Sequence, residues 1–134
     1  MALREIGDRE CMQLLGSRVV GRVAIVVHGL ARVFPVNYLV DNGDIVFRTD
    51  SGTKLDAARA GDLVTFEVDD SDPLYHTGWS VMVSGPLHAI TQPDELRRMH
   101  GLPLRAWGRA GEHWVRLPIM SISGRRINGG SAGA

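Results

Sequence analysis

The segment Val46-Phe47-Arg48-Thr49-Asp50-Ser51-Gly52-Thr53-Lys54 gathers cations and hydroxyls in one short stretch. Arg48 and Thr49 close an apolar run that reads as a strand, Gly52 sits in a polar loop, and Thr53-Lys54 open a helix-prone stretch. A helix N-terminus presents N–H groups with no intrahelical acceptor and a partial positive charge. With two fixed cations and two hydroxyl donors beside it, such a corner suits a phosphate monoester. The spacing is not that of a P-loop, which requires Gly-x-x-x-x-Gly-Lys-Ser/Thr. The same local pattern also describes a capped helix with two solvated cations, the commoner arrangement on surfaces. The residues alone leave both readings open. Lys54 is the one lysine among 15 basic residues.

Other chemistry has less support. The five histidines (His28, His76, His88, His100 and His113) form no His-x-x-x-His pair, and one cysteine cannot build a zinc cluster. His76 precedes Trp79 in a loop, either at a pocket mouth or simply solvated. Asp69, Asp70 and Asp72, with Asp62 and Glu67 nearby, lack EF-hand spacing and read better as a turn. Cys11 falls on an amphipathic helix and is expected in the core; Trp107 and Trp114 are expected to pack. No paired carboxylates stand in a catalytic context. Lysine plus arginine and aspartate plus glutamate number 15 each, so no basic excess draws the chain to nucleic acid or an anionic membrane. The most apolar stretch, Val19 to Val40, is interrupted by Arg22, His28, Arg32 and Pro35 and cannot span a bilayer. The first residues carry Arg4, Glu5, Asp8, Arg9 and Glu10 and no apolar signal core, so the cytoplasm is the expected location.

The elements that must position these residues are mostly strands. Asp8 is expected to cap a short helix carrying Met12, Leu14 and Leu15 and stopped by Gly16. Val19 to His28 and Arg32 to Val40 read as strands turning at Gly29. Asp41-Asn42-Gly43-Asp44 is a strong hairpin signal, returning through Ile45 to Arg48. Leu55 to Ala60 is helix-prone and Gly61 suits its C-terminal cap. Leu63 to Val68 alternates as a strand, Asp69 to Gly78 reads as a long loop, and Trp79 to Ile90 as a strand bent at Gly85-Pro86. Pro93 to His100 is expected as a helix, Gly101 to Gly111 as irregular, and His113 to Ser123 as a last strand. One mainly β domain over 1–127 follows, a six- or seven-stranded antiparallel split β-barrel with a few short helices. A Gly, Ser and Ala tail over 128–134 is expected to be disordered.

Phe47-Arg48-Thr49 followed by Gly52-Thr53-Lys54 resembles the FMN-phosphate segment of the pyridoxamine 5'-phosphate oxidase superfamily. Arg32-Val33-Phe34-Pro35-Val36-Asn37-Tyr38 is similar to its ring-facing second strand, and Val64-Thr65-Phe66-Glu67-Val68 to the strand after its helix. Trp79-Ser80-Val81-Met82-Val83-Ser84-Gly85 is similar to the long strand that reaches the flavin of a partner subunit. The similarity runs over about residues 5 to 125, in the family's order. It is strongest to short flavin-binding members, including nitroimidazole-reductase-like proteins. The C-terminal arginine and tryptophan of the vitamin-processing oxidases have no counterpart beyond His113-Trp114-Val115-Arg116.

The resemblance implies an FMN-dependent oxidoreductase acting on a small molecule, built as a homodimer with the cofactor at the interface. Arg48, Thr49, Thr53 and Lys54 would hold the phosphate, and Val36, Asn37 and Tyr38 would line the ring. Ser80, with Trp79 beside it, would approach from the other chain. Two alternatives of the same fold are a 5-deazaflavin reductase, with Arg22, Arg32, Arg59 and Arg105 available for a longer anionic tail, and a non-catalytic flavin-binding protein.

Overall fold

The computed structural model describes residues 2–104 and 111–128. Nine antiparallel strands and three short helices follow one another as β1 (Ala2–Ile6), α1 (Asp8–Leu15), β2 (Val20–Val27), β3 (Leu30–Asp41), β4 (Asp44–Thr49), α2 (Thr53–Ala60), β5 (Leu63–Asp72), β6 (Thr77–Pro86), β7 (His88–Ala89), α3 (Pro93–His100), β8 (His113–Leu117) and β9 (Ser121–Asn128). The strands are hydrogen-bonded in the order β1-β9-β6-β5-β2-β3-β4-β8-β7 and curl into a half-barrel. The split β-barrel read from the sequence is thus the fold, with more strands than the six or seven expected. Among the described residues no helix is long and apolar enough to cross a membrane.

The additional strands have physical causes. β1 is an edge strand, exposed from Leu3 to Glu5, that among the described residues pairs with β9 alone, from Ala2 opposite Asn128 to Ile6 opposite Gly124. The run expected as one strand from His113 is divided at Pro118, whose carbonyl lies against Gly85. A Cβ on Gly85 would fall 1.9 Å from that oxygen, so only glycine permits the corner. Asp69 to Asp72, expected in a loop, continue β5 and pair with Ser80 to Thr77 of β6. Backbone bonds hold this hairpin end while its polar side chains stay in solvent. Asp8 is the first residue of α1 rather than its cap: Gly7 holds the cap position, and no side chain bonds the first turn. Asn128 closes β9, while the expected tail beyond it, with Arg105 and Trp107, lies outside the described residues.

Both early hairpins turn on residues of positive φ. His28 (φ 52°) and Gly29 (φ 77°) join β2 to β3, and Asn42 (φ 50°) and Gly43 (φ 82°) join β3 to β4, as a type I′ turn requires. β3 is long enough to serve two sheets. Through Asn37 it pairs with β2, and from Tyr38 onward with β4.

The main core fills the inside of the curl, with Phe66, Tyr38, Phe47, Ile25 and Leu15 almost fully buried. Tyr38 meets Phe66 edge to face at 4.8 Å. A smaller cluster of Val46, Ile90, Met99 and Trp114 lies under α3. α3 is clamped there by charge. Arg98 donates two bonds to Asp41 (2.7 and 2.8 Å), while Arg116 bonds Asp41 (2.7 Å), Asp44 (3.2 Å) and Glu95 (3.1 Å). Arg116 and Asp41 are 13% and 10% exposed, so the pair is shielded well enough to matter.

The hydrogen bonds from Arg98, with Arg116 adding to them, hold the Asp41 carboxyl at about 2, below its ordinary 3.8. A depressed carboxylate contributes stability above its unfolded pKa and loses it as pH falls through the folded value. The contribution of Asp41 is therefore expected to be full above about pH 4 and to vanish toward pH 2. Asp41→Asn should lower unfolding free energy at neutral pH by about 1–3 kcal/mol and flatten that acid limb, as urea titrations at several pH values would show.

Candidate functional site

The cleft opens where β3 leaves β2 for β4. Its walls are Phe34, Pro35, Val36 and Asn37 of β3, Arg48 and Thr49 at the end of β4, the loop Asp50-Ser51-Gly52, Thr53 and Lys54 of α2, and Leu104 and Gly111. Its volume of about 290 Å³ is at the small end of the roughly 300–1,000 Å³ of small-molecule sites.

β4 aims the key side chains because both its faces are covered. Ile45, Phe47 and Thr49 point into the main core; Val46 and Arg48 point to the side of Trp114 and α3. Thr49 is buried at 5% exposure, and its Oγ1 donates to the Asp50 carbonyl at 3.0 Å. The chain then turns at Gly52, whose φ of 140° and ψ of −158° lie in a region essentially restricted to glycine. Gly52 takes the cap position of α2, with its carbonyl bonded to Asp56 N–H at 2.9 Å and no side-chain cap. The first N–H groups of α2 consequently have no intrahelical acceptor and face the same corner as Arg48 and Lys54.

The two cations are held in an unusual way. Lys54 Nζ lies 4.5 Å from the centroid of the Phe34 ring, and Arg48 Cζ lies 5.3 Å from the centroid of Trp114. Arg48 Nε is buried with no hydrogen-bond partner, and among the described residues neither cation forms a salt bridge. Burial pushes the Lys54 ammonium below the ordinary lysine value, an effect that the nearby Asp50 charge opposes. The corner therefore combines two partly buried cations, the Thr53 hydroxyl and the N-terminus of α2 with the Asp50 side of the loop, beside the apolar Val36 and Phe34. That donor set fits an anionic group attached to a flat, partly apolar body.

Val36, Asn37, Arg48, Thr49, Thr53 and Lys54 all meet at this cleft, as the sequence leads one to expect. Tyr38 does not reach it. Its side chain is 1% exposed, its hydroxyl donates to the Leu15 carbonyl at 2.5 Å, and burial raises its pKa. The expected ring-lining role is thus corrected for this side chain: on β3, residue 38 faces the core. Trp79 and Ser80 lie on β6, three strands from β3, and do not line the cleft of their own chain. Trp79 instead carries Arg18 at 5.3 Å from its ring, and Arg18 bonds Asp70 at 2.5 Å.

Phe34, Leu104, Gly111 and Trp114 complete the corner without having been singled out as site residues. No local signal marks Gly111 or Trp114: strand register brings Trp114 opposite Arg48, and Gly111, just before β8, lies against the Thr49 backbone. The acidic cluster resolves into Arg22 bonds to Glu67 (3.2 Å) and Asp69 (3.0 Å), the Arg18–Asp70 pair, and a turn in which Asp72 accepts from Leu74 N–H. His76 is exposed in the turn between β5 and β6 at φ 53°, and Cys11 is fully buried.

The sequence model of a family described as pyridoxamine 5'-phosphate oxidase matches residues 7–126. The chain belongs to the pyridoxamine 5'-phosphate oxidase family. It is 37% identical over 129 residues to an uncharacterised protein of Mycobacterium tuberculosis, an alignment covering 92% of this chain and 84% of that protein. Among solved structures, an FAD binding protein from Mycobacterium smegmatis is 35% identical and superposes with a TM-score of 0.78, covering 92% of this chain and 99% of its own. An FAD-binding protein from Mesorhizobium loti, 24% identical with a TM-score of 0.79 over 95% of this chain and 99% of its own, shares the fold.

The corner also explains why this family member carries glycine at 111. A Cβ there would lie 2.4 Å from the Thr49 carbonyl carbon, against backbone that cannot swing aside as a side chain would. Gly111→Ala should destabilise the fold by about 1–3 kcal/mol and shift the Thr49 amide environment, measurable by thermal unfolding and by amide chemical shifts.

Proposed function

We propose that the chain is a flavin-binding oxidoreductase acting on a small molecule, with the flavin phosphate held at the Arg48–Lys54 corner. The observation that carries this reading is the pair of partly buried cations that, among the described residues, have no salt-bridging carboxylate and stand beside an α2 N-terminus. Such a corner gains most from an anion of more than one negative charge. Arg48, Lys54, Thr49 and Thr53 would bind the phosphate, and Val36 with the backbone of β3 would flank the ring. When bound, the flavin supplies the redox chemistry, and the chain supplies position, electrostatics and exclusion of water.

FMN is the cofactor read from the corner itself, since one phosphate satisfies it. FAD is the second reading, favoured by the FAD binding protein of M. smegmatis at 35% identity. The absorption spectrum of the protein as purified, followed by mass spectrometry of the released ligand, separates FMN, FAD and a 5-deazaflavin. A colourless protein that ignores all three would overturn the proposal. Steady-state oxidation of a reduced nicotinamide distinguishes an enzyme from a protein that only binds flavin.

The active unit is proposed to be a homodimer. One small open cleft suits half of a shared site, and Trp79 and Ser80 could reach it only from a second copy. Exposed Val26 and Val33 of β2 and β3 and Met82 of β6 provide apolar surface for such pairing.

Two substitutions test these assignments. Lys54→Ala should weaken FMN by roughly ten- to a hundred-fold and riboflavin far less, the loss of one charge-assisted bond costing about 1.5–3 kcal/mol. Equal losses for both ligands, measured by flavin fluorescence, would remove Lys54 from the phosphate. Trp79→Ala should weaken both association and flavin binding in sedimentation and titration experiments. Unchanged values would take Trp79 out of the interface.

A further inference from the structure

Several arginines among the described residues are fixed by acids. Arg18, Arg22, Arg98, Arg116 and Arg126 each bond at least one carboxylate at 3.2 Å or less. Arg48, whose Nε is buried, has no carboxylate partner among the described residues, and its Cζ stands over an aromatic ring. The ring is placed there by register. Trp114 of β8 is directly opposite Arg48 of β4, so both side chains leave the same face of the sheet. Trp114 is 3% exposed and wedged among Val46, Ile90 and Met99, which denies it other orientations.

A carboxylate in the same position would fix Arg48 equally well but would cancel the charge that an incoming anion needs. An aromatic face orients a guanidinium through its quadrupole and carries no net charge. Lys54 repeats the arrangement over Phe34 at 4.5 Å. Two cations at one corner seated on rings are therefore held in place without a salt-bridging carboxylate among the described residues. Phe34 also forms a cleft wall, whereas Trp114 does not line the cleft, so Trp114 isolates the effect.

We propose that Trp114 is a positioning residue for the anion corner, its ring seating the Arg48 guanidinium in place of a carboxylate so that the full charge serves the ligand phosphate. The inference rests on the reading of the cleft as a flavin-phosphate site and adds to it a residue that acts only through Arg48.

The test compares FMN with riboflavin, which lacks the phosphate, by fluorescence titration of Trp114→Phe and Trp114→Leu. Loss of the ring in Trp114→Leu should reduce the preference for FMN over riboflavin by about two- to thirty-fold, and Trp114→Phe should restore most of it. In an Arg48→Ala background, Trp114→Leu should leave the remaining preference unchanged, since the ring then has no guanidinium to seat. Thermal unfolding is followed in parallel, and Trp114→Met takes the place of Trp114→Leu if the latter does not fold. A preference that is the same in the wild type, Phe and Leu proteins, with both ligands weakened equally, would show a packing role only and overturn the inference. A wild-type protein with no preference for FMN over riboflavin would instead overturn the phosphate assignment, and the inference with it.

Discussion

A strand covered on both faces governs the rest of this molecule. β4 sends Ile45, Phe47 and Thr49 into the barrel and Val46 and Arg48 toward α3, and neither set can rotate without opening a core. Its end is therefore a rigid platform. The loop through Gly52 and the start of α2 inherit that rigidity, so the donors around the cleft are set before any ligand arrives. Pre-set donors are the economical way to bind an anion, because little ordering is left to do on binding.

The split in the barrel follows from the division of β3. A strand that serves β2 along its first part and β4 along its second must bend at Asn37–Tyr38, and the bend leaves the gap that becomes the cleft. The ionic clamp of Arg98 and Arg116 on Asp41 secures the far end of β3 and brings α3 over the smaller core. That core in turn holds Trp114. Clamp, small core and cation seat form one mechanical series running from the Asn42–Gly43 turn to the cleft.

Legibility in the sequence tracked how local the cause was. Asn42-Gly43 announces its hairpin because few residue pairs accept positive φ at both positions. The cationic corner was visible because its parts are consecutive, from Arg48 to Lys54. Tyr38 was legible as a strand residue but not as a core residue: alternation puts residues 36 and 38 on one side, while curvature decides that only Val36 reaches the cleft. β1 and the Asp69–Asp72 extension were hidden because their side chains are mostly exposed and only backbone pairing, with β9 and β6, makes them sheet. Trp114 owes its role to register and Gly111 to its approach to Thr49 just before β8, neither of which a local pattern encodes.

The lone thiol of Cys11 has a use of its own. It is wholly buried where α1 lies on β9, its Sγ pointing to the Ile6 carbonyl at 3.6 Å, and a Cβ on Gly124 would collide with it. Burial, with Asp8 and Glu10 adding to it, raises its pKa, so it resists becoming the reactive thiolate. Any alkylating reagent must wait for this helix to lift from the sheet. The rate of its capture is thus a natural clock for local opening at the edge of the barrel farthest in strand order from β7.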